Sequence, residues 1–377
     1  MHVAIISHTY AEPSNWGKLR ALGQLDVQIT CFIPNRWCEE HLGHSWAGNT
    51  HEESNLTLVP VAVRRRLRTP AAAKWDLRQL RTRLARGEFD LVHVEEEPWS
   101  RAAHSATRAA RRHGVPVVVF TWQNLARYPP FPLSLLRSMT LRLASGWVAG
   151  NQQAAALLEA IDPHRALAVL PQLGTALPDP ITNSPTASGA LRIGFVGRLV
   201  REKGVYDLLD GFAAVAARCS LDFVGDGPER DGLAACVRTL ELAGRVRFHG
   251  SVEHDKVAAI WQELDVLVLP SRSTKRWIEQ FGHVLIEAMA HGVVVVGSDS
   301  GAIPEVIGDA GVVVPEGNPR AIAAALEKLA TNPELLRELG QKGRQRVSDQ
   351  FTDARVAERL RRFWNEVLSG SRASRRQ

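Results

Sequence analysis

Short apolar runs rich in β-branched residues alternate with longer segments of helical spacing along almost the whole chain. Each run is apolar throughout rather than alternately apolar and polar, which is typical of parallel strands buried on both faces. The pattern therefore predicts an α/β fold. The runs are 3–7, 27–32, 56–63, 89–94, 115–120, 146–150, 166–170, 191–197, 221–225, 245–250, 265–270, 293–298 and 311–315.

The alternation stops once, at LPDPITNSPTASGA (177–190), whose Pro, Ser and Thr content is typical of a linker. We therefore predict two doubly wound, Rossmann-like domains, 1–180 and 190–350, that face each other across a cleft. Ligands of such sheets bind beyond the carboxyl ends of the strands. Helical spacing is found in 71–86, 99–113, 151–160, 318–330, 333–347 and about 353–368.

Composition narrows the class of protein. With 377 residues, 45% hydrophobic and 23% charged, the chain is long enough for two cores and too apolar for a disordered protein. Four cysteines are too few for a disulfide framework. No signal peptide and no apolar run of about 20 residues is recognised, so we expect a cytoplasmic protein.

The net charge of +6 is concentrated in one segment, 64–86, which has nine basic residues and a single acid, Asp76. Two interpretations stay open for this segment: a solvated helix that covers a sheet, or peripheral contact with an anionic membrane. Nucleic acid is not expected as a partner, because no binding motif accompanies the basic residues. The apolar positions of the segment are Trp75, Leu77, Leu80 and Leu84, and the opposite face carries Arg78, Arg81 and Arg83.

Three loops of the second half carry candidate chemistry. In GRLVREKG (197–204), Arg198 and Lys203 lie between a strand and a helix start, where a diphosphate would find both cations. In VGDGPE (224–229) the third glycine of a dinucleotide loop is missing, so a structural turn is the simpler interpretation. In EQFGHVLIE (279–287), Glu279 and Glu287 flank a helix start whose N–H groups would face an anion.

Together these loops resemble the retaining, nucleotide-sugar-dependent glycosyltransferases of GT-B fold that form family 4. The motifs GRLVREKG, FVGDGP, FHGSV, PSRS followed by EQFGHVLIEAMAHG, and SGAIPEVI stand in that family's order over 191–350. The resemblance implies a C-terminal donor domain, an N-terminal acceptor domain, and a last helix that packs back on the N-terminal domain.

By that resemblance, Arg198 and Lys203 hold the donor diphosphate, and Glu279 contacts the sugar hydroxyls. Glu287 accepts from the ribose, and the backbone N–H groups of Phe281, Gly282 and His283 face the phosphate or sugar. The remaining donor positions are Gly197, Gly225, Gly250, Ser251 and Val252. The donor would be a UDP- or GDP-linked sugar, with the leaving phosphate taking the acceptor's proton.

The N-terminal half departs from the family pattern. The loop after the first strand has one glycine, Gly17, beside Asn15 and Trp16, where many members have two. Gln123 stands where many have a histidine, and it can bind a hydroxyl but cannot act as a base. Glu95, with His93 beneath it, is interpreted either as an acceptor contact or as part of a solvated acidic loop.

No obligatory metal or cofactor is expected. The sequence contains no Walker motif, no Asp-x-Asp and no nucleophile elbow. A metal site is also disfavoured because the spacing of the nearest candidate ligands is not a common zinc pattern. These candidates are Cys31, Cys38, His41 and His44.

We therefore predict a glycosyltransferase that moves a hexose-type sugar to a hydroxyl of a sugar, a lipid-linked acceptor or a small molecule. Two alternatives stay open: a nucleotide-sugar epimerase of the same fold, and a non-catalytic partner subunit.

Overall fold

The structure is a computed structural model that describes residues 1–39, 44–64, 70–127, 129–179, 190–216, 218–252 and 254–374. The chain divides into two compact units. The first contains Met1–Gly174 together with Asp353–Gln377, and the second contains Thr175–Thr352. Most of the predicted linker, 180–189, lies outside the described residues.

The first unit is built on an eight-stranded sheet in the order β12-β11-β10-β9-β1-β2-β6-β5, and two short pairs, β3-β4 and β7-β8, lie outside it. All neighbours in this sheet are parallel except β5 and β6. The strands are β1 (His2–Ile6), β2 (Gln28–Pro34), β3 (Trp37–Glu39), β4 (His44–Trp46), β5 (His51–Glu53), β6 (Leu56–Val61), β7 (Val63–Arg64), β8 (Lys74–Trp75), β9 (Leu91–Val94), β10 (Val117–Thr121), β11 (Gly146–Ala149) and β12 (Ala166–Val169).

Helices cover both faces of this sheet, and each face has its own apolar core. The core of one face includes residues from four helices that follow β8. The helices of the first unit's main segment are α1 (Gly17–Gln24), α2 (Arg78–Ala85), α3 (Arg101–Arg112), α4 (Leu133–Leu143) and α5 (Gln152–Glu159).

The second unit is a six-stranded, fully parallel sheet in the order β15-β14-β13-β16-β17-β18. Its strands are β13 (Leu191–Val196), β14 (Cys219–Val224), β15 (Val246–Gly250), β16 (Val266–Leu269), β17 (Val294–Ser298) and β18 (Gly311–Val314). Its helices are α6 (Val205–Ala213), α7 (Arg230–Thr239), α8 (His254–Glu263), α9 (His283–Ala290), α10 (Ile303–Ile307), α11 (Pro319–Thr331) and α12 (Pro333–Gln350).

The last helix, α13 (Asp353–Ser374), belongs to the first unit. It packs with α1 on the face of the sheet opposite α2–α5, where Leu360, Phe363 and Trp364 are at most 4% exposed. Trp364 is fully buried. The core on this face is therefore built both from α1, early in the sequence, and from α13, late in the sequence.

The structure differs from the predicted elements in several places, two of them among the helices of the first unit. The helix predicted over 71–86 begins only at Arg78, because Pro70–Ala72 form a 3-10 turn and β8 follows it. Helix α4 was not predicted from the pattern. Among the described residues, no helix has the length and apolar character that crossing a membrane requires.

Candidate active site

Both sheets reverse their strand order beside their first strand, and this reversal positions the candidate site. In the second sheet, β13 pairs with β14 on one side and with β16 on the other. The loops after two such adjacent strands, here β13 and β16, lead to helices on opposite faces of the sheet. A crevice therefore opens between the loops, beyond the carboxyl ends of the strands. The loops after β13 and β16 contain Arg198, Lys203 and Glu279.

The loop after β13 is held by backbone contacts that only glycine permits. Residues Arg201–Lys203 form a 3-10 turn, and Gly204 follows with φ +67° as the N-cap of α6. A β-carbon at Gly204 would lie 1.9 Å from the carbonyl oxygen of Pro270. Lys203 is thereby fixed against the loop after β16. Arg198 is exposed and forms no ion pair among the described residues.

Lys203 and Glu279, predicted separately from two motifs, are in direct contact. The Lys203 Nζ lies 2.7 Å from Glu279 Oε2, and the Ser271 hydroxyl donates to the same oxygen at 2.7 Å. Glu279 is 6% exposed. The ammonium also lies 5.2 Å from the centre of the Trp277 ring. The sequence analysis missed Ser271 and Trp277, although both lie within the quoted motif region.

Helix α9 begins next to this cluster. Its N-cap is Gly282, at φ +75°, and the N–H groups of a first turn have no partner within their own helix. Glu287 is the fifth residue of α9 rather than a first-turn residue, and its Oε1 lies 2.9 Å from His283 Nδ1. The Phe281 ring is buried against Phe351.

The remaining donor positions lie at the ends of β13, β14 and β15. Gly197 donates to the Val224 carbonyl at 2.9 Å, and Gly225 donates to the Gly250 carbonyl at 2.8 Å. These hydrogen bonds link the carboxyl ends of β13, β14 and β15 to one another. Ser251 is exposed and Val252 half-buried just beyond it.

The first unit has a matching polar cluster where β1 and β9 end. Lys18 and Glu95 are almost fully buried, with Lys18 Nζ 2.5 Å from Glu95 Oε1. His93 Nε2 lies 3.1 Å from the same oxygen, and Trp364 Nε1 donates to His93 Nδ1 at 3.4 Å. Burial alone would raise the pKa of Glu95, but Lys18 and His93 overcome it and hold that pKa at about 2.

This ion pair changes the interpretation of Glu95. A carboxylate that is 4% exposed and paired with a buried ammonium is not part of a solvated acidic loop. Burial, only partly opposed by Glu95, lowers the pKa of His93, which therefore stays neutral near pH 7. Gln172 completes the cluster, because its amide donates to Glu95 Oε2 at 3.4 Å and to Thr9 Oγ1 at 2.9 Å.

Three of the predicted acceptor-side residues are engaged by the chain itself. The Gln123 amide donates to the carbonyls of Leu125 and Arg127, and its oxygen accepts from Arg137 at 2.7 Å. Asn15 donates to the Thr9 carbonyl, and Trp16 donates to the Tyr10 carbonyl. Gly17 begins α1, and a β-carbon there would lie 2.1 Å from Asp353 Oδ2.

The sequence analysis missed the partners of this edge. Lys18 is one, and the neighbouring glutamates Glu96 and Glu97 have three more. Glu96 Oε1 lies 2.6 Å from His8 Nδ1. Glu97 accepts from the Thr121 hydroxyl at 2.6 Å and from the Trp122 N–H at 3.0 Å, and burial raises the pKa of Glu97 to about 7. For His8, Thr121 and the glutamates, the available signal was that they come at or just after the ends of predicted strands, whereas Lys18 had no such signal.

The disfavoured metal ligands are only partly described. Cys31 is fully buried in β2, while His41 lies outside the described residues. Within the part of the chain that the structure describes, no three His, Cys, Asp or Glu side chains are grouped to hold a metal ion.

A family model described as "Glycosyl transferases group 1" matches residues 182–346, the region that contains Lys203, Glu279 and Glu287. Residues 182–346, somewhat less than half of the chain, are therefore similar to the group 1 glycosyltransferases. This confirms the resemblance that the five motifs indicated.

Individual relatives agree with this family. The chain is 34% identical over 170 residues to N-acetyl-alpha-D-glucosaminyl L-malate synthase of Bacillus anthracis, covering 44% of this chain and 43% of that protein. It is 28% identical over 316 residues to 2-deoxystreptamine glucosyltransferase of Streptomyces kanamyceticus, covering 74% and 78%. The first of these alignments thus spans less than half of the relative's length.

Solved structures extend the likeness of fold to nearly the whole chain. Sucrose-phosphate synthase from Thermosynechococcus elongatus has a TM-score of 0.73 at 19% identity, covering 98% of this chain and all of that one. Anabaena HepE, solved with UDP and glucose, has a TM-score of 0.68 at 16% identity, covering 96% and 99%. The predicted GT-B fold is confirmed.

Proposed function

We propose that the protein is a retaining glycosyltransferase that moves a hexose-type sugar from a UDP- or GDP-linked donor to an acceptor hydroxyl. The contact of Lys203 with Glu279 and Ser271 at the reversal of the second sheet carries this proposal. It puts a cation and a sugar-binding carboxylate side by side, where a bound nucleotide sugar would present its phosphate and its sugar. HepE, solved with UDP and glucose, supports the same class of donor.

The cations act on the leaving group. The bond from the anomeric carbon to the phosphate oxygen breaks, and negative charge grows on the nucleoside diphosphate. Arg198 and Lys203 stabilise that charge, and so do the first N–H groups of α9 around Phe281, Gly282 and His283. Because Glu279 and Ser271 already orient Lys203, little reorganisation accompanies donor binding.

The acceptor oxygen attacks the same face of the sugar that the phosphate leaves, and its proton passes to the leaving phosphate oxygen. No separate base is needed in this scheme. Glu279 binds the sugar hydroxyls, and Glu287, oriented by His283, accepts from the ribose. The glycines at the strand ends face the nucleobase of the donor, and Ser251 and Val252 lie just beyond them. These glycines are Gly197, Gly225 and Gly250.

The acceptor binds at the carboxyl edge of the first sheet, where Glu95 and His93 are held in fixed geometry. Gln123, Asn15 and Trp16 act there by shaping the loops, since their polar atoms already bond to the chain. The acceptor is a hydroxyl of a sugar, a lipid-linked molecule or a small metabolite. We place the reaction in the cytoplasm, in agreement with the free thiols of Cys31, Cys219 and Cys236.

Residues 64–86 contribute less to membrane contact than the sequence indicated. Trp75, Leu77, Leu80 and Leu84 are all buried in the core of the first unit, so they offer no apolar face to a lipid. Residues 65–69 of this segment lie outside the described residues.

Donor binding is tested by thermal shifts of the purified protein with UDP-, GDP-, ADP- and dTDP-sugars, and the anomer of the product is read by NMR. We expect Arg198→Ala and Lys203→Ala to lose transfer on the order of a hundredfold or more while staying folded. Lys275→Ala, an exposed lysine in the same region, serves as control. Near-normal transfer by both variants would contradict the proposal that Arg198 and Lys203 bind the donor diphosphate.

The same assay separates the alternatives. Epimerisation of the donor without transfer would identify an epimerase, and donor binding without turnover on any acceptor would identify a non-catalytic subunit. Full activity in excess chelator is expected, and its loss would contradict the metal-independent scheme.

A further inference from the structure

Three successive helices of the first unit contain arginine as their only charged residue. Helices α2, α3 and α4 together carry nine arginines and no aspartate or glutamate. Helix α13, on the other face of the same sheet, mixes arginines with Asp353, Glu358 and Glu366. The arginines are Arg78, Arg81, Arg83, Arg101, Arg108, Arg111, Arg112, Arg137 and Arg142.

Most of these charges lie on the outer surface without a counter-charge. Arg78 pairs with Asp76 and Arg83 with Glu88, both just outside α2, and Arg137 is buried. The other six are exposed, and none of them forms an ion pair among the residues that the structure describes. They are Arg81, Arg101, Arg108, Arg111, Arg112 and Arg142.

A groove between α2 and α3 concentrates this charge. It encloses about 340 Å³, and its lining includes Arg81, Arg108 and Arg112 together with His104 and His113. No carboxylate lines it. Three guanidinium groups around one opening favour an anion, because they repel one another until one binds.

Next to these helices, α4 turns an apolar stripe outward. Phe131 is 80% exposed, Leu135 50% and Met139 38%, and they follow one another at intervals of four residues. The same face of the helix ends at the exposed Arg142, while Thr140 and Leu141 face the core. Side chains four apart on a helix line one face, so Leu135 and Met139 share the outward face of α4, and Phe131 is exposed two residues before the helix begins. The three side chains are here called the stripe.

We propose that the outer face of α2–α4, here called the arginine face, docks on an anionic lipid surface. The stripe of Phe131, Leu135 and Met139 enters the headgroup region, and the arginines lie against lipid phosphates. Apolar side chains flanked by cations are what interfacial binding requires. The surface shares α2 with the segment 64–86, but its exposed apolar side chains come from α4 and the turn before it, because the apolar residues of 64–86 are buried. It rests on none of the proposed catalytic residues.

Other occupants fit this surface less well. A second copy of the chain would bring the arginine faces of two molecules together, and like charges would repel. A nucleic acid offers phosphates but no apolar partner for three exposed side chains. An anionic membrane satisfies both the charge and the stripe.

Flotation with lipid vesicles tests the proposal. We expect the full-length protein to float with vesicles of equal parts phosphatidylcholine and phosphatidylglycerol, and not with phosphatidylcholine alone. Molar salt should reverse the binding, because it screens surface charges. Failure to bind the mixed vesicles, or equal binding to both kinds, overturns the proposal.

Two variants assign the binding to this face. Arg108→Gln combined with Arg112→Gln should weaken partitioning about twentyfold. Phe131→Ser combined with Leu135→Ser and Met139→Ser should weaken it about tenfold or more. The controls, Arg361→Gln with Arg362→Gln on α13 and Leu240→Ser in the second unit, should bind like the unmodified protein. Undiminished binding by both test variants overturns the proposal.

Two further measurements exclude the other occupants. Sedimentation of the stripe variant should show no change in oligomeric state, and a dimer lost in this variant with vesicle binding intact would identify a self-association face instead. Thermal shift with a UDP-sugar and transfer to a soluble acceptor without vesicles should be unchanged in every variant. The membrane proposal can therefore fail while the proposed transferase function stands. The transferase function can likewise fail while the membrane proposal stands.

Discussion

Lys18 and Glu95 form an ion pair that is almost completely removed from solvent, with each side chain only 1% exposed. Two charges that leave water lose their hydration, and their attraction offsets this loss only while both are present. Glu95 is additionally held by His93 and Gln172. The pair is therefore expected to be sensitive to the removal of either partner.

We predict that Lys18→Met destabilises the first unit by about 3–5 kcal/mol, because it leaves the Glu95 carboxylate buried without its cation. Urea unfolding measures the change. Arg20→Met is the matched control, since Arg20 lies on the same helix and pairs with Glu53 at an exposed site. That variant should lose less than about 1 kcal/mol. Equal losses in the two variants would show that burial does not distinguish the pairs.

Glu97 is a second buried carboxylate, and its protonation makes the free energy of unfolding depend on pH. Burial raises its pKa from 4.5 to about 7, so the folded protein holds a proton that the unfolded chain releases. The stabilisation from this proton is complete below pH 4.5 and disappears as the pH rises through about 7. We expect stability to fall on the order of 1–3 kcal/mol over this range.

Glu97→Gln should remove that pH dependence, because an amide does not titrate. Unfolding curves recorded from pH 5 to 8 make the comparison. Glu88→Gln, which alters a half-buried carboxylate of the same unit that pairs with Arg83, should retain the slope. A slope that persists in Glu97→Gln would assign the titration to another group.

At this scale, sequence predicted the donor loops better than the acceptor edge. Lys203 and Glu279 belong to ordered motifs, and the structure brings them within 2.7 Å. Lys18 belongs to no motif, and a lysine near a helix start reads as a surface residue until β9 places Glu95 beside it. Gln123 looked available because Arg137, which binds its amide, is 14 residues away in the sequence.

Among the elements, the turn that joins β13 to α6 depends on one backbone conformation. Gly204 has φ +67°, and the Pro270 carbonyl oxygen occupies the place of a β-carbon at 1.9 Å. The carbonyl belongs to backbone between β16 and the Ser271 that binds Glu279, so it cannot move without displacing the candidate site.

We predict that Gly204→Ala lowers stability by about 2 kcal/mol or more and lowers transfer as well, since the loop of Arg198 and Lys203 must shift. Gly244→Ala is the control, because no atom lies within 4 Å of a β-carbon there. Thermal unfolding and initial rates test both. A Gly204→Ala protein with normal stability and rate would contradict the close approach.

Strand positions were predictable because β-branched apolar runs are unambiguous in buried parallel sheets. Helix limits were not. The pattern over 71–86 continues apolar spacing through Pro70–Ala72 and β8, and periodicity alone does not separate a 3-10 turn and a two-residue strand from a helix. Helix α4 escaped prediction because its outward face carries Leu135 and Met139, which blurs the contrast between its faces.

For the molecule as a whole, α13 joins the two ends of the chain in one core. Trp364 is fully buried and donates to His93 across 271 residues of sequence. We predict that Trp364→Ala destabilises the first unit by about 3–5 kcal/mol through the cavity it leaves. The second unit, which α13 does not belong to, should keep its transition.

Calorimetry with and without a UDP-sugar separates the two transitions, because only a unit that binds the donor is shifted upward. Trp261→Ala, which removes a buried tryptophan of the second unit, serves as the reciprocal control. A single transition that moves as one in both variants would show that the two units unfold together.

The position of α13 also sets an order of events during synthesis. A ribosome releases the strands of the first unit early, but the residues that cover one face of its sheet are made last. Until the residues of α13 emerge, they do not cover the apolar surface around Val118 and Phe120. The second unit, whose residues are contiguous, is expected to mature first on the ribosome, and the nascent first unit is the stage at which a chaperone would bind.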